Sequence, residues 1–433
     1  MTSRATALAL ALAFACAAAR ADDVVKRPVP DYDGRGDELT TVGDVLIWVP
    51  RVIVAPVYLV TEYLIRRPMK ALVVWVEDTR LVERAFDFFG IGKPLGFVPT
   101  FYFDLRANPH FGIYFFWDAG PNSLRFSGSG GVSFLSATLR DRVALVDTLR
   151  VGVRLHASTR SDALFYGIGP TVDDDRPTRY EIQRLEAAGT LEWRPIHRYV
   201  GLTAGERDIE FGSGTCCDDP SLAEDVARGY FPTPFGFADG GYRGPFAHLR
   251  LTLDSRPSLP NAGAGVTFDG EIASDTIHDR SWARFGGQAS AGVDPFGGRR
   301  VVSLTLGAQF AEPLSGPDVP FTELVGVGGD GPLPAFGAGQ LIGRSAIDAT
   351  LQYEWPIWVW LVGAAHVAVG NVFGDHLKDF DADLLRLSFG LGIRSVGSVD
   401  HRFQFLFALG TSPFSDGAKI DSFRLVFGGV TGF

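Results

Sequence analysis

The chain has 433 residues and a formal net charge of −10. This charge argues against a nucleic-acid partner, because binding to phosphates requires clustered lysine and arginine. Beyond the N-terminal segment no uninterrupted apolar run reaches about eighteen residues, so the sequence predicts no transmembrane helix. A chain of this kind can still enter a membrane as a closed β-barrel, in which every backbone group pairs between strands.

Residues 1–21 have the form of a secretory signal peptide. Arg4 supplies the positive start, an apolar run rich in small side chains follows, and an A-x-A cleavage site ends at Ala21. The sequence therefore predicts that the mature chain leaves the cytoplasm. A lipoprotein signal at Cys16 is the less favoured alternative, because Phe14 fits that signal poorly.

Residues 22–95 are predicted to form an extended leader followed by short amphipathic helices. The first part is polar and is broken by prolines and glycines, whereas residues 72–89 have apolar side chains three and four apart, as in a helix. Pro50 and Pro68 should break or kink any helix in the segment that precedes residues 72–89. Three placements stay open for the helices of residues 38–92: the inner leaflet of the membrane, the periplasmic mouth of a barrel, or a small packing domain.

From residue 96 onward the pattern changes to a period of two, which is sharp near the C-terminal end and hard to follow in residues 126–146 and 203–244. In the last strand Phe423, Phe427 and Phe433 fall on one face, while Arg424 falls on the other. Successive strand residues point to opposite faces, so one face is large and apolar and the other carries charge and glycine. The same alternation appears upstream in residues 402–409, 385–394, 347–355 and 150–156.

A soluble β-sandwich would also alternate, but three features favour a membrane barrel. The chain begins with an export signal, the polar face repeatedly uses Arg, Asp, Gln and Glu as a wet lumen does, and Trp355, Trp358 and Trp360 cluster at a strand junction, where an interfacial girdle belongs. At roughly twenty residues per strand and connection, the barrel has about sixteen strands. The predicted fold is an all-β, antiparallel transmembrane barrel in the bacterial outer membrane, with residues 203–244 as a long extracellular loop.

A glycine-rich connection lies between two predicted strands. Gly326, Gly328 and Gly331 match G-x-G-x-x-G, but no βαβ unit surrounds them and a strand follows, so a dinucleotide site is rejected. The glycines instead permit a loop that folds back tightly. The residues of this predicted lumen-folded loop are Gly328, Gly329, Pro334, Ala335, Phe336 and Gly337.

Strand elements follow this loop in a fixed order. Their distinctive residues are Tyr353, Glu354, Pro356, Gly370, Asn371, Gly390, Gly392 and Arg394. Loop and strands together resemble the bacterial surface antigen family, the outer-membrane barrels typified by the BamA and TamA assembly proteins. The resemblance covers residues 321–433 well and residues 162–180 more loosely. It implies that the loop folds into the lumen and that the barrel belongs to an assembly superfamily.

The chain departs from the family pattern in three ways. The family's loop arginine is replaced by Pro334, and its barrel-wall aspartate is replaced by Ala368. A lone buried charge is costly, whereas loss of both partners can be nearly neutral, so the paired loss is physically consistent. We expect the loop still to fold inward, held by Phe336 and backbone hydrogen bonds. We also expect the family's periplasmic polypeptide-transport-associated domains to be absent, because residues 22–95 lack an alternating-strand pattern.

Three functions remain open: insertion or translocation of protein or lipid, a passive channel for small polar solutes, and a structural or surface-interaction barrel. The first would use a weakly paired seam between the first and last strands, softened by Gly428, Gly429 and Gly432. The expected partners are outer-membrane lipid and lipopolysaccharide, the barrel-assembly machinery with this chain as client, and periplasmic polypeptide. The client signal would be Phe423, Phe427 and Phe433.

No catalytic, cofactor or metal site is predicted. The chain has no G-x-S-x-G elbow, and no motif anchors a serine to His366. The acidic runs 173–175 and 375–383 are interpreted first as solvated loops and second as divalent-cation sites. Cys216 and Cys217 are adjacent and are either plain loop residues, a vicinal disulfide or a metal-capturing pair. Six candidate lumen arginines would favour anions in a channel: Arg154, Arg250, Arg386, Arg394, Arg402 and Arg424.

Overall fold

The structure is a computed structural model, and it describes residues 79, 80, 84, 87–90, 93–256, 261–295, 298–358, 361–396 and 402–430. The predicted signal peptide, nearly all of the predicted helical leader, and Phe433 lie outside the described residues. No helix in the described part of the chain combines the length and the apolar character needed to cross a bilayer.

Almost all of the regular structure in the described residues is β-strand. The strands are β1 (Leu95–Asp104), β2 (Ala107–Ala119), β3 (Asn122–Gly131), β4 (Phe134–Val146), β5 (Leu149–Phe165), β6 (Thr178–Trp193), β7 (Arg198–Ser213), β8 (Gly241–Asp254), β9 (Gly263–Asp275), β10 (Arg280–Val293), β11 (Val301–Ser315), β12 (Val325–Gly326), β13 (Ile342–Gly343), β14 (Ser345–Trp358), β15 (Leu361–Phe373), β16 (Arg386–Ser395), β17 (Arg402–Thr411) and β18 (Ile420–Val430). One short helix, α1 (Leu222–Ala227), precedes β8, and single 3-10 turns occupy Phe321–Glu323, Asp375–Leu377, Ala382–Leu384 and Phe414–Asp416.

Sixteen of these strands form a closed antiparallel barrel. Each pairs with its neighbours in the chain, β11 pairs with β14, and β1 closes the ring by pairing with β18. The remaining two strands, β12 and β13, form a small separate hairpin inside the β11–β14 connection. The prediction of about sixteen antiparallel strands is confirmed.

The two faces of the strands differ as the alternation predicts. On β18 the side chains of Phe423 and Phe427 are 42% and 41% exposed on the outer surface, whereas Arg424 and Val426 are buried on the inner one. Apolar side chains on the outside and polar ones on the inside are the arrangement of a barrel whose outer surface meets lipid.

The predicted long loop at residues 203–244 is too long at both ends. Strand β7 continues to Ser213 and β8 starts at Gly241, so the connection covers residues 214–240. The end of β7 is rich in charged residues, which made the sequence resemble a loop. In the structure these charges line the lumen: Arg207 on the inner face of β7 pairs with Glu186 and Glu271 on the inner faces of β6 and β9. A charge-rich stretch can therefore be a lumen-lining strand rather than a loop.

Long connections gather at one end of the barrel, which we call the loop end. They are residues 166–177, 214–240 and 316–344, while β1 begins and β18 ends at the opposite, terminal end. The buried apolar core lies inside the barrel at the loop end, where these connections fold inward. Its largest members include Phe165, Leu222, Trp282, Phe321, Leu333 and Phe336.

Candidate functional site

The seam between β1 and β18, where the ring closes, has the shortest register of any strand pair in the described barrel. Its register runs only from Tyr102 opposite Gly428 to Asp104 opposite Val426, whereas the β1–β2 register extends from Leu95 to Asp104. The wall is also lower here: β1 has 10 residues and β18 has 11, while β5 has 17.

Gly428 adapts the seam to a close approach between the two strands. Its φ is +138°, and a Cβ on this residue would lie 1.8 Å from the carbonyl oxygen of Phe101. Only glycine fits such a position, because any other side chain would have to push the strands apart. The sequence predicts that Gly428 softens the seam, whereas in the structure this glycine permits the two strands to close there.

The connection of residues 316–344 folds into the lumen, and the predicted loop residues lie at its tip. Phe336 and Ala335 are fully buried, and the backbone N–H of Gly329 donates to the carbonyl of Phe336 at 2.8 Å. The N–H of Ala335 donates to Ser388 Oγ on β16 at 3.2 Å, and Ser422 Oγ on β18 donates to the Ala335 carbonyl at 2.6 Å. The tip is thus hydrogen-bonded to the barrel wall on two strands.

Glycines and small residues allow this tight path. A Cβ on Gly328 would lie 2.3 Å from the carbonyl oxygen of Gly337, so the two sides of the tip touch. Gly329 has a φ of +68°, and Pro334 exposes its carbonyl to the wall. The Phe336 ring packs over Gly410 of β17, where a Cβ would lie 2.7 Å from the ring.

Arg424 joins the last strand, the first strand and the loop tip. Its Nε donates to Asp104 Oδ2 at 2.8 Å, and its Nη1 donates to the carbonyls of Gly329 and Pro334 at 2.5 and 3.1 Å. The side chains of Arg424 and Asp104 are only 3% and 9% exposed. A buried arginine needs both a counter-charge and hydrogen-bond acceptors, and here the loop backbone supplies the acceptors.

Arg106, in the turn after β1, crosses the same seam. Its Nη2 donates to Ser422 Oγ at 2.8 Å, and its Nη1 contacts the side-chain oxygen of Gln340 in the loop. Gln340 in turn donates to Asp174 Oδ1 at 2.8 Å, and Arg386 Nη1 donates to Asp174 Oδ2 at 2.6 Å. These contacts connect the seam to the loops of residues 166–177 and 316–344.

Glu323 ties the loop to the opposite wall. Its carboxylate lies 3.3 Å from Arg207 of β7 and 3.3 Å from Arg284 of β10, and Tyr242 donates a hydrogen bond to it. Glu271 bridges the two arginines at 3.1 and 2.7 Å. Burial raises the pKa of Glu323, but Arg284 and Arg207 outweigh this effect and hold the pKa below its usual value.

At Glu323 and at the loop tip, the charges that anchor the loop are reversed relative to those that the family resemblance implies. The loop supplies the carboxylate of Glu323 and bare carbonyls, while the walls supply the guanidinium groups of Arg207, Arg284 and Arg424. Pro334 and Ala368, where the resemblance implies an arginine and an aspartate, carry no charge. The sequence pattern placed Arg424 on an inner face but provided no signal that would link it to Asp104 or that would single out Glu323.

The predicted strand residues have structural positions of several kinds. Tyr353 stacks on Trp355 with ring centroids 5.4 Å apart, Glu354 pairs with Arg394, and Asn371 donates to the carbonyls of Pro170 and Leu384 at 3.0 and 2.6 Å. The remaining members lie in barrel ladders without a polar contact of their own: Pro356 opposite Val362, Gly370 opposite Asp348, Gly390 opposite Ala408 and Gly392 opposite Leu406. Asn371 is the member of this set that organises loops at the loop end.

Five of the six candidate lumen arginines pair with a carboxylate. The pairs are Arg154 with Glu186 at 3.3 Å, Arg250 with Asp269 at 2.6 Å, Arg386 with Asp174 at 2.6 Å, Arg424 with Asp104 at 2.8 Å, and Arg394 with Glu354. The side chain of Arg402 lies outside the described residues. The paired arginines therefore present little uncompensated positive charge to a passing anion.

Two polar cavities occupy the lumen beside the loop tip. One of about 370 Å³ is lined by Tyr102, His110 and Asp162 on the β1–β5 side, and one of about 750 Å³ is lined by His248 and Gln352 on the β8–β16 side. Asp330 of the loop borders both cavities. The lumen interior is therefore polar and roomy, although folded loops fill the loop end.

The other predicted chemical groups are tied to neighbours. Cys216 and Cys217 form a vicinal disulfide. Asp174 of the first acidic run is bound by Arg386 and Gln340, as described above. Glu312, Asp375 and His376 bring ligand atoms within 4.8 Å of one another at the rim, but Arg344 pairs with both carboxylates at 2.9 and 3.3 Å. Ser388 Oγ lies 3.5 Å from His366 Nε2.

Comparison with known proteins places the fold. No family model matches the chain, and no curated protein matches it in sequence. Among solved structures it is similar to BamA from Haemophilus ducreyi lacking POTRA domains 1–3, with a TM-score of 0.52 and 16% identity over 77% of this chain and 70% of that one. CdiB from Acinetobacter baumannii is similar with a TM-score of 0.48 and 11% identity, over 77% of this chain and 59% of that one. The protein is a closed sixteen-stranded β-barrel of the bacterial outer membrane, with a fold similar to that of BamA.

Proposed function

We propose that the barrel aids the insertion or translocation of polypeptide or lipid at the outer membrane and that the β1–β18 seam is its working part. The observation that carries the proposal is the combination at this seam of short register pairing and a buried ion pair between Asp104 and Arg424. A seam with few backbone hydrogen bonds is the place where a barrel wall opens at least cost. The proposed role is not enzymatic.

The loop is the proposed control element of the seam. Its tip accepts two hydrogen bonds from Arg424 and one from Ser422, and both of these residues lie on β18. On the β1 side, Gln340 of the loop accepts a hydrogen bond from Arg106. A docked tip therefore bonds both edges of the seam at once. Release of the tip would remove these contacts together and leave the short strand pairing, the Asp104–Arg424 ion pair and the hydrogen bond from Arg106 to Ser422.

The proposed partners follow from the surfaces. Outer-membrane lipid and lipopolysaccharide would contact the apolar outer face, and a periplasmic polypeptide would enter the polar lumen from the terminal end. The chain itself would be a client of the barrel-assembly machinery through the aromatic side chains of Phe423 and Phe427, which face outward on β18, and of Phe433. A nucleic-acid partner is not proposed, because the net charge is −10.

A passive channel for small polar solutes is the second candidate. The two lumen cavities favour it, since their linings are polar and together they flank the loop tip. The fully buried Leu333 and Phe336 and the paired lumen arginines favour the seam proposal instead, because they close the loop end and neutralise the wall.

A reversible cross-link across the seam tests the proposal. Phe103 and Phe427 are register partners on the outer face, so Phe103→Cys with Phe427→Cys should form a disulfide between β1 and β18. The matched control is Phe285→Cys with Phe310→Cys, also register partners, which staples β10 to β11. Both pairs are introduced into a chain in which Cys216 and Cys217 are replaced by serine.

The readout uses vesicles that contain the full chain. We expect the protein to accelerate either the folding of a urea-unfolded small outer-membrane barrel, followed by gel mobility without boiling, or the movement of a labelled phospholipid between leaflets. The seam staple should abolish the acceleration and dithiothreitol should restore it, while the β10–β11 staple has no effect. The proposal fails if neither rate rises, or if both staples act alike. A stable open pore in single-channel recording would support the channel instead.

A further inference from the structure

The turn that holds the vicinal disulfide is a conformationally demanding part of the loop end. Cys217 and Asp218 have φ values of 61° and 62°, so two successive residues with a Cβ lie in the left-handed region. The turn is closed by a hydrogen bond from the N–H of Asp219 to the carbonyl of Cys216 at 3.0 Å. The Cys216–Cys217 disulfide joins the side chains at the start of this turn.

This turn positions one carboxylate. Asp219 Oδ2 accepts a hydrogen bond from Arg179 Nε at 2.7 Å, and the N–H of Arg179 donates to the carbonyl of Pro220 at 2.9 Å. The Arg179 side chain is 4% exposed, so its charge depends on this partner and on backbone acceptors. A shift of Asp219 would therefore disturb Arg179.

Arg179 in turn holds the start of the seam. Its Nη1 donates to the carbonyls of Arg106 and Asp162 at 2.9 and 2.8 Å. Arg106 lies in the turn between β1 and β2, and its own side chain crosses the seam to Ser422 and to the carbonyl of Phe423. A continuous path of hydrogen bonds thus leads from the disulfide turn to β18.

We propose that Cys216–Cys217 is a thiol-exchange site at the loop end and that its redox state sets the stability of the β1–β18 seam through Asp219, Arg179 and Arg106. Cys217 is exposed, so a small thiol can reach its sulfur. In the reaction a dithiol gives two electrons and two protons to the Cys216–Cys217 bond, which becomes two thiols, while the dithiol closes to a cyclic disulfide. The reduced turn can relax and withdraw Asp219 from Arg179.

Hydrogen exchange on the full chain in detergent tests the relay. Dithiothreitol should speed amide exchange in residues 102–106 and 420–428 at least tenfold, while amides of the β9–β10 pair keep their rates. The double variant Cys216→Ser with Cys217→Ser should show fast amide exchange at the seam without reductant, and reductant should not change its rates. Asp219→Ala removes the acceptor of Arg179 Nε and so breaks the path beyond the disulfide. Exchange at the seam should then be fast without reductant, with little further change on reduction.

Several results would overturn the relay. The relay is wrong if the amide exchange rates at the seam stay the same once mass spectrometry shows that both cysteines are free thiols. It is also wrong if excess dithiothreitol does not reduce the native disulfide. An equal rise in exchange throughout the barrel would show a general loss of stability and no directed path. The idea that the relay regulates insertion rests on the proposed function. The exchange rates, however, measure the coupling between the disulfide and the seam directly, so a failed insertion assay would not contradict that coupling.

Discussion

Arg424 and Asp104 form an ion pair across the point where the barrel closes, with Nε 2.8 Å from Oδ2. The two residues are 320 positions apart in the chain and lie on the last and first strands of the ring. Because both side chains are buried, the loss of either one leaves the other as an uncompensated charge in a poorly solvated place. The pair therefore makes closure of the ring sensitive to a single carboxylate.

Asp104→Asn should destabilise the folded barrel by about 3 kcal/mol or more, because it leaves the guanidinium of Arg424 buried without its counter-charge. The midpoint of denaturant unfolding in detergent measures the change. Asp269→Asn is the matched control, since its pair with Arg250 is 37% and 53% exposed and should be worth less than about 1 kcal/mol. Equal losses in the two variants would contradict the role assigned to the seam pair.

The docking of the loop should depend on pH through Glu323. The pKa of this residue is held below its usual value of 4.5, so the unfolded or undocked loop binds a proton more readily than the docked one. The stabilising contribution is therefore complete above pH 4.5 and is lost as the pH falls through the lowered pKa. Single-channel conductance should stay low near neutral pH and rise in acid.

Glu323→Gln provides the check on that pH dependence. It removes the titrating carboxylate, so conductance should already be raised near neutral pH and the acid-induced rise should disappear. Glu312→Gln, at the rim of the barrel, should retain the wild-type profile. An acid-induced rise that persists in Glu323→Gln would assign the effect to another group.

Phe336→Ala should release the loop tip while the barrel stays folded. Truncation of a fully buried phenylalanine costs about 3 to 5 kcal/mol, but the strand ladders do not depend on this ring. Gly410→Ala should have a related effect, since its methyl group would lie 2.7 Å from the ring. Both variants, and deletion of residues 334–337, should raise conductance; Phe380→Ala, with a side chain 48% exposed, should not.

Gly428→Ala should loosen the seam without any change in charge. The added Cβ would meet the Phe101 carbonyl at 1.8 Å, so the two strands must separate locally. Faster hydrogen exchange in residues 102–106 is the expected result. Gly189→Ala is the control, because the nearest atom to its Cβ would be 3.9 Å away; similar exchange in the two variants would contradict the close approach.

Much of the wall could be predicted from the sequence, because the strands near the C-terminal end carry a clear two-residue period. The outward Phe423 and the inward Arg424 follow from that period alone, and so does the approximate number of strands. The lumen-folded tip around Phe336 was expected from its glycines and from the family resemblance. These features are local, or they repeat along the chain.

The contacts that hold the loop could not be predicted in this way. An inward arginine has several possible partners around a ring, and nothing in the alternation connects Arg424 to Asp104 or Glu323 to Arg207. For the same reason the end of β7 was predicted as a loop: its charged side chains have partners across the lumen that the sequence does not reveal. Partnerships across a lumen depend on the closed shape, which a period of two does not encode.

The position of the loop tip against the last strand has a consequence for the order in which the protein matures. Gly329, Pro334 and Ala335 complete their hydrogen bonds only when Arg424 and Ser422 are in place, and these belong to the last strand of the ring in chain order. The surface formed by the docked connections can therefore exist only on molecules whose ring is already complete. An antibody that recognises this surface would distinguish molecules whose ring is closed from molecules whose ring is still open.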